Sequence, residues 1–233
     1  MSSSRPAQSS NLGAMRSRET VGARLVAVPV GSLEQHGPHL PLDTDTRVAA
    51  AVAGSLDDAF LAPALAYGAS GEHEGFAGTV SLGAEALTAV LVEYGRSICR
   101  WADRVVFVNG HGGNLSSLVS AVGLLRYEGR DVAWFPCAVA GGDAHAGRTE
   151  TSLMMHLAPN LVDESAVEVG ITAPIASLLP RLRTLGMSAI TSNGVLGDPR
   201  GASAAEGASL VASMGDSLAA AVRSWAPDTH GRL

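Results

Sequence analysis

The sequence contains no lysine: all sixteen basic residues are arginine. They are spread along the 233 residues and build no basic stripe, so the electrostatic footprint of a nucleic-acid partner is missing. Charge of either sign is sparse, at 16% of residues with a net charge of −6, whereas 46% of residues are hydrophobic. Disorder would need nearly the reverse balance. No run of about eighteen apolar residues occurs, which argues against a membrane-spanning helix. Only two cysteines are present, Cys99 and Cys137. Nothing pairs them by spacing, and they read as buried thiols in a reducing, cytoplasmic setting. The first twenty residues carry Arg5, Arg16 and Arg18 but no apolar stretch before a small-residue cleavage site, so no secretory signal is read there. Residues 1–20 are expected to form a disordered leader and 21–233 a single domain. Also missing are the G-x-S-x-G elbow of serine hydrolases, an H-E-x-x-H zinc helix, a G-x-G-x-x-G fingerprint and a P-loop.

What is present is an alternation of apolar runs and amphipathic stretches. Residues 24–30, 61–68, 105–109 and 132–137 read as strands. Helices are expected over 47–57, 84–101, 114–128, 149–157 and 202–225, with Asp45 or Thr46 able to cap the first. The stretch 160–200 carries no clear period. Strands separated by helices imply crossover connections and a mostly parallel sheet between two helical layers, a three-layer α/β/α architecture. Ligands in such sheets bind beyond the carboxyl ends of the strands.

Five of the seven histidines, His36, His39, His73, His111 and His145, fall in such loops. Glu34 and His36 are two apart, so an extended segment puts both side chains on one face. Asp45 follows a proline-bracketed loop able to fold back toward them, and His111 directly follows the strand at 105–109. This mixture of imidazole and carboxylate suits zinc, iron or manganese. Glu150 opens a helix whose apolar stripe is Leu153, Met154 and Leu157, a costly place for a carboxylate that is neither paired nor metal-bound. Five ligands on two metals require one shared group, and Asp45 is the natural bridge. Glu34 and His111 are expected on one ion, His36 and Glu150 on the other. Two such ions can activate water and clamp a carbonyl, which points to amide hydrolysis without a covalent intermediate. His145 and Glu150 are the expected catalytic pair, with His145 either donating to the oxyanion or protonating the leaving nitrogen. Glu72, His73 and Phe76 are expected at the substrate pocket, and Arg148 against a substrate carboxylate.

Three segments, GSLEQHGPHLPLDTD, VNGHGGN and HAGRTETSLM, resemble the signature segments of the creatininase family, and the resemblance covers most of residues 24–157. It implies a compact three-layer fold with a two-metal amidohydrolase site, in a homo-oligomer for which a hexamer is one expectation. Two divalent ions per subunit are implied, Fe(II) or Zn(II) first and Mn(II) as an alternative. Glu34, His36, Asp45 and His111 match the family's ligand positions. In creatinine-hydrolysing members a metal-binding glutamate follows the HGGN-type histidine by two residues, where this chain has Gly113. Other branches take that ligand from the E-T-S helix, here Glu150. The short segment between Cys137 and His145 also lacks the tryptophan-bearing loop of creatinine hydrolases, which points to a more open pocket. Within the family, GSLEQHGPHLPLDTDTR and AYGASGEHEGFAGTVSLG look most like the branch that acts on a short, modified ribosomal precursor peptide. That likeness implies release of a C-terminal Val-Tyr-derived dipeptide. The competing expectations are another two-metal amidohydrolase, acting on creatinine or a formamide, and a metal-binding scaffold without turnover.

Overall fold

The computed structural model describes residues 10–233. Five strands form one sheet: β1 (Ser10–Asn11), β2 (Ala23–Val30), β3 (Phe60–Leu61), β4 (Ala102–Asn109) and β5 (Val132–Pro136). Their order is β1-β3-β2-β4-β5 and every pairing is parallel. Parallel neighbours need crossovers, and six helices accompany the strands: α1 (Thr44–Gly54), α2 (Ala84–Ile98), α3 (Leu115–Tyr127), α4 (Arg148–Leu157), α5 (Ile175–Leu185) and α6 (Ala204–Ser224).

Both faces of the sheet are apolar because β2 and β4 are apolar on both of their alternating sides. Val26, Val28, Val30, Val105 and Phe107 meet Leu87, Leu91, Leu118 and Leu125 of α2 and α3. On the opposite face Leu25, Ala27, Val106 and Val108 meet Val48 and Val52 of α1, Leu153 of α4, and Met214 and Leu218 of α6. The result is the expected three-layer sandwich. Its consequence for function is that β2, β4 and β5, running in one direction, all deliver their following loops to the same edge.

Several boundaries differ from the sequence reading. Of the expected leader, residues 1–9 lie outside the described residues. From Ser10 onward the chain is built in rather than loose: Ser10–Asn11 pair with Phe60–Leu61, and Leu12 packs against the α2/α3 core. The strand expected over 61–68 shrinks to β3 and a single bridge from Val30 to Leu65, with Pro63, which has no N–H to give to a ladder, lying between. Helix α1 begins three residues before its expected start, at Thr44, so Asp45 sits inside its first turn instead of capping it. Within 160–200 the chain forms short 3-10 turns and α5, with Pro180 inside that helix. Among the described residues no helix is long and apolar enough to cross a membrane.

Candidate metal centre

Four segments bring their polar residues to one point. The loop after β2 supplies Ser32, Glu34, Gln35 and His36, all buried, and the first turn of α1 supplies Asp45. The turn after β4 supplies His111, and the segment leading into α4 supplies His145 and Glu150. Gly110 allows the ends of β4 and α1 to touch: a Cβ there would lie 2.3 Å from the Asp45 carbonyl oxygen.

Asp45 stands between two imidazoles, with Oδ1 3.2 Å from His36 Nε2 and Oδ2 3.0 Å from His111 Nδ1. Ser32 Oγ donates to Oδ2 at 2.7 Å. Glu34 lies 3.2 Å from His111 Nδ1 through Oε2, and 3.3 Å from His73 Nε2 and 3.8 Å from His145 Nδ1 through Oε1. Glu150 Oε2 accepts from the Ala146 N–H at 2.6 Å and lies 3.8 Å from His36 Nε2. The ring orientations are fixed from outside. His36 Nδ1–H donates to the Glu34 carbonyl at 3.1 Å, and His145 Nε2–H donates to the Gln35 carbonyl at 2.8 Å. Each ring therefore turns its other nitrogen toward the carboxylates.

The electrostatics follow from packing acids and imidazoles together out of water. Burial works against a charge on His36, but Asp45, then Glu150 and Glu34, outweigh it and carry its pKa up to about 10. Burial also opposes ionisation of Asp45, and His36 and His111 overcome it, holding the carboxyl well below the usual range. His111 is raised well above an ordinary histidine: Glu34 and Asp45 outweigh its desolvation. Glu150 moves the other way, lifted to about 7 by burial and by its neighbours Asp45 and Glu34. Burial and the neighbouring His36 and His73 hold His145 well below the usual value, so that it is neutral. The pocket's acids demand positive charge.

Three overlapping groups meet the spacing of a metal site: Glu34, His73 and His145; His36, His145 and Glu150; and Glu34, Asp45 and His111. In each, the donor atoms lie within 4.8 Å of one another. The sharper observation is that both carboxylate oxygens of the fully buried Glu34 accept no hydrogen bond. Buried carboxylate oxygens without donors are expensive, and a divalent cation is the partner this donor set fits.

The site opens into a cleft of about 1180 Å3. Its lining includes Glu72 and His73 and, on α5, Ile175, Leu179, Leu182 and Arg183. Two expected pocket residues lie elsewhere. Phe76 packs into a small cluster with Leu178, Met187 and Leu196, because its loop folds down onto the underside of α5. Arg148 is held outside the cleft by Glu206, 2.9 Å away on α6. Sequence reasoning missed Gln35, whose amide donates to His73 Nδ1 at 2.9 Å and to the Gly194 carbonyl at 3.1 Å. Ser32, which donates to Asp45, and the α5 lining, within the stretch 160–200 that shows no clear period, were not expected either. Gln35 and Ser32 flank Glu34 in the same motif, which is the only signal the sequence held for them. Asn114, at the start of α3, gives its side chain to tying the Gly31 carbonyl to the Ala69 N–H and so braces the loops beneath the site.

The family model for creatininase, creatinine amidohydrolase, matches residues 13–222. The chain belongs to the creatininase family. This creatininase-family protein is 54% identical over 234 residues to the mycofactocin precursor peptide peptidase of Mycolicibacterium smegmatis, covering 96% of this chain and 95% of that one. It is 53% identical over 221 residues to the protein of the same name from Mycobacterium tuberculosis, covering 89% and 88% of the two chains. Among solved structures, a mutant creatininase superposes with a TM-score of 0.79 at 29% identity, covering 94% of this chain and all of that one.

Proposed function

We propose that this protein is a metal-dependent peptidase that releases the modified C-terminal Val-Tyr-derived dipeptide from the mycofactocin precursor peptide. The observation that carries the reading is near-full-length identity above half to a peptidase of that name, together with a carboxylate and histidine cluster at the floor of an open cleft. Glu34, His111 and Asp45 would hold one divalent ion; His36 and Glu150, sharing Asp45, would hold a second. When bound, such ions would supply the Lewis acidity that activates a water and polarises the scissile carbonyl. Fe(II) and Zn(II) suit this donor set first, and Mn(II) is the alternative.

The chain's own residues do the rest. His145, neutral and aimed by Gln35, presents Nδ1 toward the reacting groups; it carries the proton that the attacking water loses to the amine that leaves when the C–N bond breaks. The apolar side of α5 holds the substrate's apolar end, and the His73 loop lines the same cleft. The active form is a cytoplasmic homo-oligomer, a hexamer in the arrangement the family likeness suggests, and free cysteines are consistent with a reducing compartment.

The test is incubation of purified protein, loaded in turn with Fe(II), Zn(II) and Mn(II), with the modified precursor peptide, followed by mass analysis of both fragments. Cleavage before the terminal dipeptide that disappears on chelation and in Asp45→Ala is the expected result. An intact peptide under all three metals, with turnover of creatinine or a formamide instead, would overturn the reading.

A further inference from the structure

His111 uses only one of its nitrogens in the cluster. Nδ1 lies 3.0 Å from Asp45 Oδ2 and 3.2 Å from Glu34 Oε2, so this is the nitrogen that faces the metal groups. Nε2 points away from them, is buried and has no hydrogen-bond partner. A ring that gives its Nδ1 lone pair to a cation must carry its proton on Nε2, and a buried N–H needs an acceptor. The carboxylate within reach is Glu72, whose Oε1 lies 3.5 Å from Nε2. Glu72 comes from a separate loop, in the short turn Gly71–His73, and it is only partly buried. It reaches His111 through space that Gly113 leaves open. A Cβ at 113 would fall 2.7 Å from Glu72 Oε1, 2.4 Å from His111 Nε2 and 2.4 Å from the Ala69 carbonyl oxygen.

We propose that Glu72 is the positioning residue of His111: its carboxylate accepts a hydrogen bond from Nε2–H, fixes the ring as the Nδ1-donating tautomer, and thereby sets metal affinity without itself binding the metal. Carboxylates behind metal-bound histidines do this generally. The glycine at 113 is then required by the contact, because any side chain there would occupy the line between the two groups. The inference rests on the metal reading above and deepens it.

The experiment measures Zn(II) affinity by competition with a chromophoric chelator for wild type, Glu72→Ala and Glu72→Gln, with circular dichroism to confirm folding. Glu72→Ala is expected to weaken zinc binding by about 10–100-fold, and Glu72→Gln, which keeps an acceptor oxygen, by no more than about threefold. Wild-type zinc affinity in Glu72→Ala, with a raised KM, would make Glu72 a substrate contact and overturn the inference alone. Equal large losses in both variants would make it a direct ligand and overturn it too. Failure of the wild type to bind zinc would instead remove the metal reading on which it stands.

Discussion

Glu34 has no exposed surface, and its two carboxylate oxygens accept no hydrogen bond although three imidazole nitrogens lie 3.2 to 3.8 Å away. Such a group is tolerated only beside positive charge, and without metal that charge has to come from protons on the histidines. His36 makes the consequence measurable. Its pKa rises from an ordinary 6.5 to about 10, so the folded protein holds a proton there that the unfolded chain gives up. The stabilisation this brings is complete below about pH 6.5 and is lost as pH climbs toward 10. Glu150, lifted to about 7, acts in the same direction at lower pH, since its charged form is the costly one in the folded state. Urea melts of chelator-treated protein at pH 6.5, 8 and 9.5 should therefore show falling stability, with a slope approaching about 1.4 kcal/mol per pH unit. Metal-loaded protein should show a flat or rising trend, because binding displaces those protons. At this scale the sequence is most informative where residue type alone is diagnostic. Glu34, His36, Asp45, His111 and Glu150 stand out as potential ligands. Arg148 does not, because an arginine's partner is chosen by the fold, and here it is Glu206.

Among the elements, the junction of β4 with α1 matters most, since it sets Asp45 against His111. Gly110→Ala would press a methyl group to within 2.3 Å of the Asp45 carbonyl oxygen. It is expected to cost about 1–3 kcal/mol of stability, as overpacking does, and to lower metal affinity with it; chemical denaturation and metal titration of the same preparation check both. Helix α5 calls for the opposite signature. Leu178 anchors it among Met187 and Leu196, while Leu179 faces the cleft. Leu179→Glu should raise KM for the peptide by about tenfold, the loss of roughly one buried apolar contact, and leave metal content and melting temperature near wild type. Initial-rate kinetics with metal analysis decide it. The central strands and the helices α2, α3 and α6 were legible because each has a long, clean hydrophobic period. Helix α5 was not, although Ile175–Leu185 is amphipathic: Pro180 at its centre reads as a helix breaker, and a 3-10 turn follows it. The α5 part of the cleft lining was hidden for that reason.

For the molecule as a whole, the outer surface of α2 and α3 is less polar than a solvent face needs to be. Val90, Trp101, Leu124 and Tyr127 are exposed, Tyr127 to 89%. Such residues are expected at contacts between copies of the chain, and light scattering after size exclusion should give a multiple of the 23.7 kDa monomer mass. Tyr127→Glu should shift that mass downward if this face is used; an unchanged mass would move the contact elsewhere. The parallel sheet has a further effect. Each β-to-α crossover returns the chain to the same edge, so donors separated by more than a hundred positions end up side by side: His36 near the start, Glu150 well past the middle. During synthesis the ribosome releases these groups in order. A nascent chain that has emerged only through α3 owns Glu34, Asp45 and His111 but lacks His145 and Glu150 altogether. Completion of the centre must therefore wait until β5 has joined the sheet and α4 has docked, so the half of it that needs Glu150 could hold a cation only late in the life of each new molecule.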